Sequence, residues 1–277
     1  YRFQPDVILA EVERHRPTFT VAAVTALSAL IDSPGFAREP IGSLRALFSG
    51  GAPIPPPLAE RIGTSTGLSL RNVYGLTETT APVIATPGGT ASPVDSVSGA
   101  LALGKPIPGS EVVVLAEDGA PAEEGEVGEI AVRGPSVFAS YWQKPHETEA
   151  AFRDGWFLTG DMGRRDQAGW YFLVDRKKDM IVASGFKIWP REVEDLLYSH
   201  PAVQEAGVVG VADEYRGETV KAVVSLHAGV SCTTDEIMAF CRERMAAFKC
   251  PRIVEIVDEL PKTLTGKVLR RELSGPR

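Results

Sequence analysis

The chain has 277 residues, of which 44% are hydrophobic and 23% are charged, and its formal net charge is −7. This composition is typical of a globular protein with two or three domains, and the acidic balance excludes an overall field that would attract nucleic acid. The longest apolar run, at 21–31, is shorter than the ~20 residues that span a bilayer, so we expect no transmembrane segment. No charged leader with a cleavage site precedes this run, so we also expect no signal peptide.

The three cysteines, Cys232, Cys241 and Cys250, are an odd number and lack the spacing of a metal site. We therefore expect neither a disulfide framework nor a zinc site, which indicates a reducing, cytoplasmic compartment. Cys241 falls on the apolar side of a predicted helix, where cysteine packs as a small hydrophobe. Because the chain begins with Tyr1 rather than Met, we expect it to be a fragment or a processed chain.

Strands and helices alternate in the first part of the chain. The pattern predicts helices over 7–16 and 57–66 and strands over 17–24, 44–48 and 68–75. This order indicates one edge of a parallel α/β sheet. Ligands of such sheets gather at the carboxyl ends of the strands. Two segments follow such ends, "SGGAP" at 49–53 and "YGLTETT" at 74–80, so the sequence predicts a site there.

The remaining sequence divides into two further regions. Between about 96 and 174, short β segments with a turn at Asp118-Gly119 predict a compact antiparallel or barrel-like unit. Beyond 178, strands and helices follow one another in the split βαβ order, which predicts a small α+β domain. In this domain Pro190 begins a helix, and Thr233 with Glu236 forms a capping box for another.

The segment "YGLTETT" combines residues that suit a bound nucleotide. Gly75 lets backbone approach a ligand, and the hydroxyl of Thr77 can donate to a phosphate oxygen. Glu78 offers a hard oxygen to Mg²⁺, and Tyr74 has a flat face on which a base can stack. The alternative is a surface loop that begins a capped helix, because Thr-Glu-Thr is common at helix starts.

Charged residues mark the stretch between 155 and 194. Asp161 follows a Thr-Gly turn and Arg176 ends the next strand, so the two side chains could bracket the hydroxyls of a ribose. The alternative is an exposed salt bridge that closes a hairpin and contributes little. "RKKD" at 176–179 lies where the β pattern ends, which is typical of a flexible linker between domains.

The segment "PKTLTGKVLRREL", at 261–273, presents Lys267 directly after Gly266. Its simplest interpretation is a solvated tail that begins a short helix. For Arg270 and Arg271 we expect this interpretation to hold, since both side chains need only face water.

Five segments carry a family resemblance. In this order and spacing, "SGGAP", "YGLTETT", "GWFLTGDMG", "DRKKDMIVASGFKI" and "PKTLTGKVLRREL" resemble the motifs of the adenylate-forming superfamily. Its members include acyl- and aryl-CoA synthetases, adenylation domains of peptide synthetases and firefly-type luciferases. The resemblance covers essentially the whole chain. It implies an ATP- and Mg²⁺-dependent ligase that activates a carboxylic acid as acyl-AMP and transfers the acyl group to coenzyme A. We expect the carboxylic acid to be a fatty acid.

The resemblance also implies a domain organisation and a set of site residues. The chain would be the carboxyl-terminal half of a two-domain adenylate-forming enzyme, with the remainder of the large-domain α/β subdomain at 1–95, a β-rich subdomain at 96–176 and a mobile α+β domain at 177–277. The nucleotide-binding residues would be Gly51, Ala52, Pro53, Asn72, Tyr74, Gly75, Asp161 and Arg176. The catalytic residues would be Thr77, Glu78 and Lys267, with Glu78 on the metal, Lys178 as hinge, and Ser184 and Gly185 on coenzyme A. The segment 79–85 would form part of the acyl pocket wall.

Two departures from the family pattern leave alternatives open. The Ser/Thr/Gly-rich phosphate loop of the family is not in this sequence, and Thr25 stands where the family often has proline. A unit that loads a carrier protein instead of coenzyme A is one alternative, and a non-catalytic fragment is another. A luciferase-like oxygenase shares the fold, but no residue pattern indicates oxygen chemistry. No feature of the sequence predicts the oligomeric state.

Overall fold

Separate hydrophobic cores form in two units of the chain, one within 1–173 and the other within 174–277. The computed structural model describes residues 3–36, 41–80, 82–96, 99–263 and 268–274. No helix in these ranges is long and apolar enough to cross a membrane.

The first unit begins with a five-stranded sheet. Its strands, in sheet order, are β1 (Phe19–Ala22), β2 (Ala46–Gly50), β3 (Leu70–Gly75), β4 (Pro82–Ala85) and β5 (Lys105–Pro106). Its helices are α1 (Pro5–His15), α2 (Val24–Ile31) and α3 (Pro56–Thr66). β1, β2 and β3 pair in parallel, whereas β4 and β5 are antiparallel, so the predicted parallel α/β edge is confirmed. Buried Leu27 of α2 and Ile62 of α3 share one cluster with Leu47 of β2.

Helix α2 is an element that the sequence analysis missed. The predicted strand over 17–24 ends at Ala22, and the helix begins at Val24. Val24, Leu27 and Leu30 are buried on one helix face at a spacing of three residues. Thr25 lies in the first turn, where a proline would be tolerated because its missing N–H has no helical partner.

The second sheet of this unit is antiparallel. It comprises β6 (Glu111–Leu115), β7 (Gly128–Arg133), β8 (Phe152–Arg153), β9 (Trp156–Arg165) and β10 (Tyr171–Arg176), and α4 (Pro145–Ala151) precedes β8. The boundary between the units falls within β10, whose residues from 174 onward belong to the second unit. The strand order is β10-β9-β7-β6, with β8 beside β9. In the described residues this sheet is open, with β6 and β10 at its ends, so of the two predicted forms the antiparallel one is confirmed and the barrel-like one is wrong. Its inner face instead packs on the first sheet, where Tyr74 and Ile84 share a cluster with Ile130.

The second unit has the predicted α+β order with one additional hairpin strand. Its elements are β11 (Ile181–Ala183), β12 (Phe186–Ile188), α5 (Pro190–Tyr198), β13 (Val203–Asp213), β14 (Gly217–Leu226), α6 (Thr234–Arg244), β15 (Ile253–Ile256) and α7 (Arg270–Leu273). The hydroxyl of Thr233 accepts a hydrogen bond from the Glu236 amide, so the predicted capping box of α6 is confirmed. Cys241 is fully buried in the core, as its position on the apolar face predicts.

Candidate functional site

A cavity of about 640 Å³ opens at the carboxyl ends of β1, β2 and β3, where the sheet topology predicts a site. It is lined by Val21, Ala22, Ala23, Gly50, Gly51, Val73, Gly75, Leu76, Thr77, Thr80 and Pro82. Three of the sequence-predicted residues, Gly51, Gly75 and Thr77, are therefore brought together in one wall. Most of this wall is glycine backbone and small apolar side chains, with the two threonines as its polar side chains.

Two glycines allow the backbone to form this wall. A Cβ atom at Gly50 would lie 2.3 Å from the carbonyl oxygen of Val73, so no larger residue fits between β2 and β3. Gly51 has φ of +80°, a left-handed conformation that glycine adopts without steric cost. The strand can therefore turn sharply at its end and expose backbone to the cavity. Ala52, half-buried, and Pro53, exposed, follow this turn and lead into α3.

The threonines after β3 have different environments. Thr77–Thr79 form a single turn of 3-10 helix whose start is capped by the hydroxyl of Thr79, so the alternative of a loop with a capped helix start is confirmed in this short form. Thr79 is fully buried, and its hydroxyl accepts from the amide of Leu76 at 2.9 Å and donates to the carbonyl of the same residue at 3.0 Å. Thr77, in contrast, is exposed at the cavity wall. Thr79 therefore folds the turn, whereas Thr77 is placed to meet a ligand.

The next residue, Thr80, has φ of +61°, which is uncommon for a residue with a Cβ atom. Its hydroxyl donates to the carbonyl of Ser136 at 3.0 Å. Beyond it, Pro82 lines the cavity, whereas Val83 and Ile84 are fully buried in the core between the two sheets. Of the predicted pocket wall at 79–85, the described residues that reach the cavity are thus Thr80 and Pro82.

Glu78, the predicted metal ligand, is held by a tyrosine that the sequence analysis missed. The hydroxyl of Tyr141 donates to Glu78 Oε1 at 2.8 Å, and the amide of Phe138 donates to the Glu78 carbonyl at 2.7 Å. Burial, together with the hydrogen bond to the carboxylate, raises the pKa of Tyr141, so this hydroxyl remains a donor. The ring of Tyr141 packs against Phe138, which in turn stacks on Phe152.

Tyr74 and Asp161, predicted to contact different parts of a nucleotide, contact each other. The Tyr74 hydroxyl donates to Asp161 Oδ2 at 2.8 Å, and both residues are buried. The ring of Tyr74 packs in the cluster between the two sheets. Asp161 follows Gly160, whose amide donates to Glu129 Oε1 at 3.0 Å and whose φ is +72°. Stacking of Tyr74 on a base and binding of a ribose by Asp161 stay predictions.

Asn72 lies within β3 and is buried. Its side-chain Nδ2 donates to the carbonyl of Ala102 at 3.1 Å, and its amide donates to the hydroxyl of Thr86 at 3.0 Å. The first bond fixes the orientation of the side chain, and the second fixes the backbone of β3 at this residue. The contact between Asn72 and an adenine stays a prediction.

The remaining predicted residues that the structure describes lie in the second unit. Arg176 and Lys178 are exposed, and Lys178 belongs to a 3-10 turn at Lys177–Asp179. The joint action of Asp161 and Arg176 on a ribose stays a prediction, because the two residues belong to different units. Lys267 lies outside the described residues.

Ser184 and Gly185 form the two-residue turn between β11 and β12. Their φ values are +51° and +81°, and positive φ at both central residues is what the favoured type I′ hairpin turn requires. Both residues are exposed, so their backbone is open to a ligand. Their role in binding coenzyme A stays a prediction.

Arg270 contradicts the expectation that it faces water. Its guanidinium donates to both carboxylate oxygens of Glu194, at 2.6 and 3.0 Å, to Asp175 at 2.8 Å and to Asp179 at 3.2 Å. Its side chain is 20% exposed, whereas that of Arg271 is 81% exposed and does face water. The reason is the start of α7, which directs Arg270 toward three carboxylates from earlier parts of the chain.

Burial shapes the charges of this cluster. Desolvation raises the pKa of Glu194 despite the neighbouring Arg270. Burial alone would lower the pKa of Arg270, but Glu194 and Asp175 outweigh this effect and raise it above its ordinary value. Asp175 also accepts the amide of Arg191 at 2.7 Å, which fixes its second oxygen. The guanidinium of Arg270 is thus a permanent cation, mostly buried among the carboxylates of Asp175, Asp179 and Glu194.

The described residues contain no group of three or more His, Cys, Asp or Glu side chains that could form a metal cage. Glu78, held by Tyr141, fits a different kind of site. Mg²⁺ commonly uses one or two carboxylates and takes its other ligands from water and substrate phosphates. A single oriented carboxylate near the cavity turn is compatible with that kind of binding.

Comparisons with known proteins agree with this geometry. Residues 1–142 match the family model of the AMP-binding enzyme, and residues 192–267 match that of the AMP-binding enzyme C-terminal domain. The chain therefore belongs to the AMP-binding enzyme family, the adenylate-forming superfamily that its motifs resemble.

Individual relatives cover nearly all of this chain. A long-chain-fatty-acid–CoA ligase of Bacillus subtilis is 41% identical over 98% of this chain and 48% of its own length. A 2-succinylbenzoate–CoA ligase of Geobacillus kaustophilus is 41% identical over 93% of this chain and 51% of its own length. The crystal structure of ATP-bound MatB from Rhodopseudomonas palustris is 33% identical, with a TM-score of 0.90 over 98% of this chain and 53% of that one. The chain thus spans about half the length of the relatives it matches.

Proposed function

We propose that this chain is the carboxyl-terminal half of an acid–thiol ligase, here called the parent protein. The parent protein would activate a carboxylic acid with ATP, giving acyl-AMP and pyrophosphate, and then transfer the acyl group to coenzyme A. The observation that carries this proposal is the cavity at the carboxyl ends of β1 to β3, whose wall contains the motif residues Gly51, Gly75 and Thr77. The names of the relatives support ligation to coenzyme A.

We assign the domains as the sequence predicts. Residues 1–95 and 96–176 would be two subdomains of the large domain, and 177–277 the mobile domain that carries Lys267. Nucleotide would be bound by Gly51, Ala52, Pro53, Asn72, Tyr74, Gly75, Asp161 and Arg176. Lys178 would be the hinge, and the exposed turn at Ser184 and Gly185 would contact coenzyme A.

The protein would mainly position the reactants and stabilise charge. The substrate carboxylate attacks the α-phosphorus of ATP, a P–O bond forms, and the bond to pyrophosphate breaks. Thr77, exposed on the cavity wall, would donate to the phosphate, and Lys267 would stabilise the negative charge that develops there. Glu78 would hold Mg²⁺, which supplies positive charge to the phosphates. In the second step the thiol attacks the acyl carbonyl, and AMP leaves.

A pyrophosphate exchange assay of the parent protein tests this function. Acid-dependent exchange of labelled pyrophosphate into ATP is expected, followed by release of AMP when coenzyme A is added. The acid panel should contain long-chain fatty acids, which we propose as substrates, together with succinylbenzoate-like and other aryl acids. Exchange with none of the acids would refute the function, whereas exchange with aryl acids alone would refute only the fatty-acid assignment.

The role proposed for Lys267 predicts that the two half-reactions can be separated by mutation. Changing Lys267→Ala in the parent protein should slow acyl-AMP formation about 10²–10³-fold, since a preorganised donor to developing charge is lost. Thioester formation from supplied acyl-AMP should be largely retained. An equal loss in both half-reactions would contradict the role that we assign to Lys267.

The acceptor of the acyl group is tested in the same assay. A unit that loads a carrier protein would show exchange with ATP but no AMP release on addition of coenzyme A. A carrier protein tested in parallel would then restore AMP release.

A further inference from the structure

Resting on the proposed function, we propose that Arg270 is a positioning residue that couples the turn around Lys178 to the segment bearing Lys267. Helix α7 begins at Arg270, three residues after Lys267 in the sequence. Through Arg270, the start of this helix is bonded directly to residues on both sides of Lys178. The start of α7, which follows Lys267 in the sequence, would then be held to the predicted hinge turn by one guanidinium.

The contacts of Arg270 span the predicted hinge. Nη1 donates to Asp175 Oδ1 at 2.8 Å and to Asp179 Oδ2 at 3.2 Å, and these two carboxylates precede and follow Lys178. Nε and Nη2 donate to the two oxygens of Glu194 in α5, at 3.0 and 2.6 Å. One side chain therefore joins Asp175 before the turn, Asp179 in the turn and Glu194 of α5, all within the second unit.

The chain on either side of residues 264–267 is fastened close to Arg270. Lys262 and Val268 form an antiparallel bridge, and the amide of Leu269 donates to the carbonyl of Pro261 at 2.8 Å. At the other end of α7, Leu273 is buried against the β13–β14 pair. The chain before and after residues 264–267 is thus held together by the Lys262–Val268 bridge. Arg270 connects the helix that follows this bridge to the predicted hinge turn.

The chemistry of the cluster requires arginine. A guanidinium has a planar fork of N–H donors and can serve Glu194 in a bidentate manner while also donating to the two aspartates. A lysine would retain the charge but lose this geometry. Complete removal of the cation would leave the buried Asp175 and Glu194 without their main counter-charge, which is strongly destabilising.

The informative variants in the parent protein are therefore Arg270→Lys and Asp179→Asn. Asp179→Asn removes the more exposed of the hinge contacts and leaves the other two carboxylates paired, so it remains informative if Arg270→Lys does not fold. Arg271→Lys is the matched control, because that side chain is exposed. Each variant is made with Lys267 present and with Lys267→Ala, and thermal unfolding is recorded for all of them.

We expect Arg270→Lys to lower ATP–pyrophosphate exchange about tenfold when Lys267 is present, a size within the range measured for coupled residues. In the Lys267→Ala background, the same change should lower exchange less than about twofold, because the group that Arg270 positions is already absent. Asp179→Asn should show the same pattern with a smaller loss. Equal losses in both backgrounds, or no loss in either, would overturn the inference.

Hydrogen exchange provides a readout that is independent of activity. Relative to Arg271→Lys, the Arg270→Lys and Asp179→Asn variants should speed amide exchange both at 176–180 and at 268–274. Unchanged exchange at either segment would refute the coupling, even in a protein that shows no pyrophosphate exchange. Absence of pyrophosphate exchange in the unsubstituted parent protein would refute the proposed function instead.

Discussion

The hydroxyl of Tyr74 and the carboxylate of Asp161 form a buried hydrogen bond of 2.8 Å across 87 residues of sequence. Tyr74 lies near the end of β3 in the first sheet, and Asp161 lies within β9 of the second. The bond therefore fixes one strand end against the other sheet. Any ligand in the neighbouring cavity meets residues whose positions this bond helps to determine.

Replacing Tyr74 by Phe should therefore lower the free energy of unfolding by about 1–3 kcal/mol, because the buried Asp161 loses a donor. Urea unfolding of this chain measures the effect. Tyr215→Phe is the control, since that residue is 87% exposed and its change should have little effect. Equal stability of the two variants would show that this hydrogen bond contributes nothing to folding.

The bond from Tyr141 to Glu78 predicts a change in metal dependence. Partners that orient metal ligands typically change metal affinity 10–100-fold when they are removed. In the parent protein, Tyr141→Phe should raise the Mg²⁺ concentration for half-maximal pyrophosphate exchange by about tenfold. Tyr171→Phe is the control, because it also deletes a tyrosine hydroxyl in this unit, one that donates to the carbonyl of Val112. An equal Mg²⁺ concentration for half-maximal exchange in the Tyr141→Phe and Tyr171→Phe variants would argue against the orienting role of Tyr141.

The environments of Thr79 and Thr77 predict opposite consequences for two similar changes. Thr79→Val removes a buried hydroxyl that closes the 3-10 turn, so we expect a loss of about 1–3 kcal/mol in the free energy of unfolding. Thr77→Ala should change stability by less than about 0.5 kcal/mol, since this side chain is exposed. In the parent protein Thr77→Ala should nevertheless slow pyrophosphate exchange. A larger loss in the free energy of unfolding for Thr77→Ala than for Thr79→Val would contradict the structural role that we assign to Thr79.

His200 predicts a loss of stability in mild acid. Burial lowers its pKa, and its Nδ1 accepts a hydrogen bond from the amide of Ala202 at 3.1 Å, which favours the neutral ring. Its contribution is therefore present above the unfolded pKa of about 6.5 and is lost as the pH falls through the lower folded value. Urea unfolding midpoints should thus fall less between about pH 7.5 and pH 5 in His200→Gln than in the unsubstituted chain. His146→Gln, at an exposed site, is the control, and an identical pH dependence in the His200 variant would contradict the assignment.

The sequence predicted the features that depend on local patterns. The parallel strands before "SGGAP" and "YGLTETT" follow from apolar runs that end in glycine, and the cap at Thr233 follows from a spacing of three residues to Glu236. The cavity then follows from topology, because the carboxyl ends of neighbouring parallel strands meet at one edge. Helix α2 was missed because the alanines around Val24 hide its period in a continuous apolar run.

The features that the sequence did not predict depend on distant contacts. The acceptors of Arg270 lie 76, 91 and 95 residues before it, and Tyr141 lies 63 residues after Glu78. Periodicity and turn chemistry act over a few residues, so neither identifies such partners. Two adjacent arginines at the start of a short helix have the sequence pattern of a solvated surface. Only the folded structure shows that Arg270 is mostly buried whereas Arg271 is exposed.

The cluster around Arg270 also limits how this chain can be recombined with its relatives. A crossover placed between 195 and 269 would take Asp175, Asp179 and Glu194 from one of the two recombined sequences and Arg270 from the other. If the sequence that supplies position 270 has a neutral residue there, the hybrid protein contains the three carboxylates without their cation. Crossovers before position 174 keep all four residues together, so hybrids made there inherit the cluster as one unit.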